Sequence, residues 1–480
     1  MAYALIVFPL VMAAVTFATA SNRWRPWLLP LGALVQLLMV GQAIFRPVDA
    51  PAVEGLGGWL LLDPLGKLIL GFLAVLFFLC SLYTPAYLAL RSDRPNRVFC
   101  ANLFVSMAMM TLVAISHHLG LMWVAMEATT LASAPWIYFN RNPRSLEATW
   151  KYLLIGSVGI ALALLGSFFL AYASLKSGLR STLLFDQLIH DAPLLSGPWL
   201  HAAFVLLFIG YGTKMGLAPM HNWKPDAYGE APGVVGTLLA GGITSCAFLA
   251  ILRVHQICAA GAEAETSRRI MIGMGLLSVA VAAVFLVRQR DFKRMLAYSS
   301  VEHMGILVLG IGIGGAAVYG ALLHLINNGL TKGVLFLSAG NIHRSYGSKV
   351  TDHVRGAIRR VPLSGALFLA GFLAICGSPP FGPFLSEFTI VSAAIGSGHF
   401  IAAGLLLALL GVVFVGMGST VLAVVEGDPP SDDDTGIRDS IGTGAPILLF
   451  MALVLMLGLY IPPPLESLLR EAADFLKVKP

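Results

Sequence analysis

Charge is what this chain lacks most. Only 12% of its 480 residues are charged, about half the roughly 25% of a soluble globular protein. That argues against a soluble enzyme, a disordered chain or a nucleic-acid-binding module. Cysteine is also sparse. Cys80, Cys100, Cys246, Cys258 and Cys376 are scattered with no CxxC spacing, which excludes a disulfide framework and a zinc or iron–sulfur site. Dinucleotide-binding and P-loop fingerprints are missing too. The chain is therefore expected to hold no cofactor and no metal, and to supply no redox chemistry of its own. No cleavable signal is read, because the apolar run from Ala2 to Ala18 follows no basic region and suits a first spanning helix better.

Hydrophobic residues make up 57% of the chain and mean hydropathy is +0.82. A bilayer crossing needs about 20 mostly apolar residues. About fourteen such runs occur, near 2–19, 27–45, 62–90, 98–117, 119–138, 150–174, 199–219, 232–254, 270–287, 294–313, 316–341, 361–396 (interrupted), 399–425 and 444–461. The fold class is an all-α polytopic membrane protein with no separate soluble domain. The Asp432-Asp433-Asp434 run reads as a solvated loop. The net charge of +6 then speaks of topology. One set of alternate loops carries Arg23, Arg25, Arg91, Arg94, Arg97, Arg141, Arg144, Lys151, Lys224, Arg288, Arg290, Lys293, Arg294, Arg344, Lys349, Arg355, Arg359, Arg360 and Arg438. The other carries Arg46, Lys176, Arg180, Arg253, Arg268, Arg269, Arg470, Lys477 and Lys479. The richer side is expected in the cytoplasm, with both termini outside.

Ionisable groups in mid-membrane cost about 2.5–3.5 kcal/mol each on insertion scales and mark ion pathways. Glu127, Lys214, Glu302, His303, His324, Lys332 and Glu387 all stand in apolar runs. His324, Asn328 and Lys332 follow at i, i+4 and i+8 and share a helix face. Tyr298 and Glu302 form another i, i+4 pair, and Glu147 and Lys151 a third at a helix start. Alternating acids and bases through a bundle are the material of a proton relay. Buried ion pairs that merely hold helices together are the plainer reading. His190, His255, His343 and His353 fall in loops or at helix ends and are expected to be incidental.

Two runs are interrupted beside such a charge. Lys214 precedes GLAP and MHNWKPDAYGEAP, and Glu387 follows GSPPFGP. Proline breaks helices, and unwound backbone at membrane depth must be covered by protein or line a wet cavity. Matched broken helices point to inverted repeats. The expected organisation is helices 1–3 over 1–97, a first five-helix repeat over 98–256, an inverted second repeat over 268–426, and a last helix with a short tail over 443–480. Breaks are expected in helix 7 near Gly216–Pro219 and in helix 12 near Gly377–Pro383.

DFKRMLAYSSVEHMG, LLHLINNGLTKGVLFLSAGNI, PMHNWKPDAYGEAP and GSPPFGPFLSEF resemble the antiporter-like proton-translocating subunits of the complex I superfamily. The YSS-EHMG, LTK and SEF stretches look most like the F-type membrane component of hydrogenase-4, from complexes of the group 4 nickel–iron hydrogenase and formate hydrogenlyase kind. The resemblance spans about residues 60–460. It implies a first half-channel pair at Glu127 and Lys214, central groups at His324 and Lys332, and an exit group at Glu387. Three positions depart: Ser245 stands where a helix-8 Lys is usual, Asn328 where a His often precedes the helix-11 Lys, and Tyr228 closes HNWKPDAY in place of a second His.

The implied mechanism is electrostatic. A redox event in partner subunits separates Lys214 from Glu127, and the proton released moves through Lys332 and His324 to Glu387. Glu147, Lys151, Ser245, Glu302 and Asn328 are expected to support this line. Of the adjacent Glu302 and His303, His303 is the one expected to face it. The implied partners are other membrane-arm subunits, a peripheral nickel–iron hydrogenase or dehydrogenase arm, the bilayer and protons, with no nucleic acid. Two alternatives are a cation/proton antiporter subunit of the Mrp type and a non-pumping scaffold for a hydrogenase or carbon-uptake complex. The long lateral helix of the family is expected to be absent, with only the short LESLLREAADFLKVKP after Pro463–Pro464.

Overall fold

Proline at the first turn and a side-chain cap begin several of the helices. Asp63 accepts from the Gly66 N–H at 2.7 Å ahead of Pro64. Asn142 and Ser145 form a reciprocal capping box around Pro143, and Ser440 and Thr443 form another. Asp291 accepts from the Lys293 and Arg294 N–H groups. Such caps satisfy amides that the helix itself leaves unpaired.

The computed structural model describes residues 1–46, 52–430 and 435–477. The main helices are α1 Ala2–Ala18, α2 Leu28–Ile44, α3 Pro64–Ala89, α4 Arg97–Ile115, α5 Leu119–Ile137 and α6 Pro143–Lys176. Next come α7, in two pieces (Gly197–Met215 and Trp223–Glu230), α8 Gly233–Ala260, α9 Ala264–Leu286, α10 Phe292–Ile313 and α11 Ala316–Tyr346. The last are α12, in two pieces (Pro362–Ile375 and Gly382–Gly396), α13 Phe400–Val425, α14 Ile441–Leu459 and α15 Pro463–Leu476. Among the described residues nine helices are long and apolar enough to cross a membrane, with α1 and both halves of α12 as shorter apolar helices. The remaining α5, α7 and α11 carry Glu127, Lys214 and the His324–Lys332 stretch, whose polarity lowers their hydropathy. The order accommodates the fourteen-segment layout. The Asp432-Asp433-Asp434 run lies outside the described residues. After α14 comes the 14-residue amphipathic α15, which packs against α3 and α11.

Both expected breaks are present. The first piece of α7 ends at Gly216 in the left-handed region (φ +79°), and helix resumes at Trp223. The first piece of α12 ends at Cys376, Gly377 has φ +68°, and helix resumes at Gly382. Ala218–Pro219 and Pro379–Pro380 are cis.

The loops after α3, α5, α7, α9 and α11 converge on one face. There Arg91, Arg94, Asn142, Arg144, Glu230, Asp291 and Lys349 line a common cavity. Near the chain ends, Tyr3 Oη accepts from the Leu56 N–H at 2.8 Å, and Gln256 in the last turns of α8 donates to the Phe475 carbonyl at 2.7 Å. The alternation of loops read from charge is thus kept in space.

Four residues counted as loop cations are not solvated. Arg25 is buried against backbone carbonyls of the α1 C-terminal segment and Asn96. Lys293 is buried and donates to the Ala231 carbonyl at 2.6 Å. Arg253 forms a fully buried ion pair with Asp63 at 2.6 Å. Lys224 is 0% exposed. Proximity to a helix end misled the sequence reading, because hydropathy does not distinguish a solvated loop from polar backbone folded into the protein.

Candidate functional site

A series of buried ionisable groups runs from α5 to α12. At one end Lys214 sits in the last turn of the first piece of α7, where the carbonyl end of a helix favours a cation. Its ammonium donates to Thr130 Oγ1 at 2.6 Å and to Tyr152 Oη at 3.4 Å, and lies 4.7 Å from the Tyr152 ring centre. Thr130 Oγ1 is in turn 3.3 Å from Glu127 Oε2, and Ser157 donates to Glu127 Oε1 at 2.9 Å. Among the described residues no ion pair joins Lys214 to Glu127; the Thr130 hydroxyl stands between them. Glu127 is half-buried and Ser157 exposed, so this end reaches the lateral surface.

At the centre, two consecutive serines of α10 each accept from a buried lysine. Lys332 donates to Ser299 Oγ at 2.8 Å, with the Leu296 carbonyl at 3.4 Å. Lys224 donates to Ser300 Oγ at 3.1 Å. Glu302, buried on the same helix, interacts electrostatically with Lys332.

At the far end, His303 Nδ1 and His324 Nε2 share a hydrogen bond of 3.0 Å, and His324 Nδ1 meets Ser386 Oγ at 3.0 Å. His303 also lies 3.9 Å from Glu387 Oε1 and 3.9 Å from Glu302 Oε2. Asn327 donates to the Gly382 carbonyl at 2.8 Å, which ties the second piece of α12 to α11. A Cβ on Gly377 would collide with the Glu387 carboxylate; glycine leaves the space that this side chain fills. His303, His324 and Glu387 place donor atoms within 4.8 Å of one another. The two imidazoles already spend their facing nitrogens on each other, however, and an ion between them would break that bond. Glu302 Oε2, His303 Nε2, Glu387 Oε1, Asn327 Oδ1 and Asn328 Oδ1 have no hydrogen-bond partner among the described residues. Buried polar atoms in this condition ordinarily bind water, which makes the cluster suited to carrying protons.

The structure therefore groups Glu127 with Lys214, and His303, His324 and Glu387 with one another, while Lys332 lies between on Ser299. Glu302 and His303 are both buried, and of the two it is His303 that meets His324 and Glu387. Ser245 does not join it, since its hydroxyl donates to the Gly241 carbonyl of its own helix at 2.6 Å. That helix has a π-helical stretch over Leu238–Ile243. Tyr298 stacks on Phe285 at 5.0 Å rather than pairing with Glu302. Glu147 and Lys151 lie on the shared loop face. Lys151 bridges Glu147 at 2.6 Å and Asp226 at 2.8 Å, and Asp226 also meets Arg294 at 2.5 Å. These residues line a cavity of about 450 Å³. Four groups escaped sequence reasoning: Thr130, Ser299, Ser386 and Lys224. Only the adjacency of the YSS and SEF serines to Glu302, His303 and Glu387 could have signalled two of them.

The family described as NADH:quinone oxidoreductase/Mrp antiporter, TM matches residues 116–418. The chain is 32% identical to a hydrogenase-4 component F homolog of Methylacidiphilum infernorum (isolate V4), over 99% of this chain and 100% of that protein. Its fold is that of a chain in the membrane-bound sulfane sulfur reductase, an archaeal respiratory membrane complex, with TM-score 0.88 and 22% identity over 99% of this chain and 97% of that one. A chain of respiratory complex I from Thermus thermophilus has TM-score 0.80 and 25% identity, over 98% of this chain and 99% of that one. Full-length similarity, two broken helices and a buried charged line thus agree: the chain belongs to the NADH:quinone oxidoreductase/Mrp antiporter family, as an antiporter-like membrane subunit of the complex I and hydrogenase-4 type.

Proposed function

We propose that the chain translocates protons across a cytoplasmic membrane as one subunit of a redox-driven complex. The observation that carries this reading is the His303–His324 hydrogen bond, with Glu387 and Glu302 each 3.9 Å from His303. Imidazoles in contact inside a membrane can pass a proton by exchanging donor and acceptor roles, and carboxylates on both sides give it a source and a sink. Lys214, bridged to Glu127 by Thr130, is the switch at the other end. An approaching or departing negative charge alters the stability of a buried ammonium, so movement at Glu127 loads or unloads Lys214. Glu127 reaches the lateral surface, where a neighbouring membrane subunit can drive that movement. Glu147 and Lys151, in the cavity on the arginine-rich face, would stand at the cytoplasmic mouth, with both termini outside. The five-helix blocks over 98–256 and 268–426 would then be the two half-channels.

Electrons come from elsewhere. Partner membrane-arm subunits and a peripheral nickel–iron hydrogenase or dehydrogenase arm would supply the redox step, and this chain only moves protons. The test is dye-monitored acidification in sealed vesicles holding the assembled complex, turned over in sodium-free buffer. Acidification that a protonophore collapses is expected. Redox turnover with no proton movement would leave the non-pumping scaffold, and a strict sodium requirement would favour cation exchange.

A further inference from the structure

The stretch MHNWKPDAYGEAP looks like a polar loop, yet Lys224 within it is wholly enclosed. Its stem lies against Gly216, where a Cβ would collide with it. Its ammonium stands 6.0 Å from the Trp223 ring centre and 5.8 Å from that of Tyr228. Three other buried cations hold a carboxylate or carbonyl oxygen at shorter range. Arg253 has Asp63 at 2.6 Å, Lys293 has the Ala231 carbonyl at 2.6 Å, and Arg25 has several carbonyls. Lys224 has three donors, but its close contact is the Ser300 hydroxyl at 3.1 Å, with the Ser300 carbonyl at 3.5 Å. No carboxylate forms an ion pair with it among the described residues. A permanently charged, unpaired group in that position would cost several kcal/mol, and a lysine kept only to fill space would be replaced without loss by methionine.

The location is as informative as the burial. Trp223, beside Lys224, packs on Tyr152 at 5.1 Å between ring centres, and Tyr152 accepts from Lys214. On the other side, Ser300 neighbours Ser299, which accepts from Lys332. Lys224 thus occupies the seam between the two halves. The two breaks reinforce this. Gly216-Leu217-Ala218-Pro219 and Gly377-Ser378-Pro379-Pro380 have the same Gly-x-x-Pro order. In each, the positive-φ glycine makes room for an ionisable side chain of the following half-helix: Lys224 in the first and Glu387 in the second. By this register Lys214 corresponds to Ile375, Lys224 to Leu385 and Glu387 to Asp226, so Lys224 and Glu387 share the glycine notch and not an aligned position.

We propose that Lys224 carries protons between Lys214 and Lys332, joining the two half-channels. The proposal rests on the translocation reading above. As a neutral amine Lys224 accepts a proton as the N–H bond breaks on the Lys214 ammonium, by way of intervening water. It then yields that proton to neutral Lys332 by way of the Ser300 and Ser299 hydroxyls and water between them. Each step moves one proton and its charge, with no oxidant or reductant. Lys224 and Lys332 repel one another when both are charged, which disfavours loading both at once.

The experiment uses the assembled complex in sealed vesicles and reads protons moved per redox turnover. Lys224→Met, which cannot bind a proton, and Lys224→Arg, which cannot release one, should each lower that ratio by at least about tenfold. Ser300→Ala tests the same link with little change of volume. It should lower the ratio by about threefold, with recovery in Ser300→Thr, whose hydroxyl can be restored to the lysine. If Lys224→Met and Ser300→Ala both pump like the parent, Lys224 is structural and the wider reading stands. If Lys224→Met fails to assemble, the Ser300 pair decides alone. If the parent complex itself moves no protons, both this proposal and the translocation reading fall.

Discussion

The two broken helices are built alike and equipped differently. In α7 a lysine stands on each side of the break, Lys214 before it and Lys224 after it, and neither forms an ion pair with an acid among the described residues. In α12 the residue before the break is the apolar Ile375, and Glu387 after it joins His303 and His324. One half therefore sets amines against hydroxyls, and the other sets imidazoles beside carboxylates. A second difference is access. Glu127 is half-buried with exposed Ser157 beside it, whereas the histidine cluster is closed. In the proposed mechanism a neighbouring subunit acts directly on the first group, and the second responds through the protein.

Substitutions can sharpen this contrast. The largest effect is expected in the closed half. Glu387→Gln keeps shape but removes the carboxylate next to His303, and should lower proton translocation per turnover by about a hundredfold in vesicles. A smaller loss would mean that the histidines have another outlet. In the open half, Thr130→Val removes the hydroxyl between Lys214 and Glu127 while preserving volume, and should cost about threefold to tenfold. If the loss equals that of Glu387→Gln, Thr130 is itself in the proton path rather than a bridge. Gly377→Ala forces a side chain onto φ +68° against Glu387 and should destabilise by about 1–3 kcal/mol, read as a lower unfolding temperature of the purified complex. Ser245→Ala should change translocation and stability least, within about 0.5 kcal/mol, because its hydroxyl only bonds its own helix.

The two helix breaks were legible in the sequence because they are written in local chemistry. Gly and Pro runs mark the breaks, and the buried charges stand out against apolar neighbours. Glu127, Lys214, His324, Lys332 and Glu387 could all be named that way. Their partners could not. The His303–His324 contact joins different helices, and the Thr130 bridge depends on α5 meeting α7 across 84 positions of chain. Lys224 was read as a solvated cation for a specific physical reason. Its neighbours are Pro, Asp, Asn and Gly, which signal a loop in water equally well as unwound backbone at membrane depth. Arg253 failed similarly, since its partner Asp63 is 190 positions away. Asn328 was placed on the correct helix face, but sharing a face with His324 and Lys332 did not give it their partners.

The most direct measurement is the number of protons moved per redox turnover by the complex carrying Lys214→Ala or Glu127→Gln, with the amount of the chain in the membrane measured in parallel. Charge switching between these two residues predicts that each variant assembles to near-parental levels and loses most of its translocation, by about tenfold or more. Full translocation by both variants would contradict it, and would leave this buried line as a scaffold rather than a conductor.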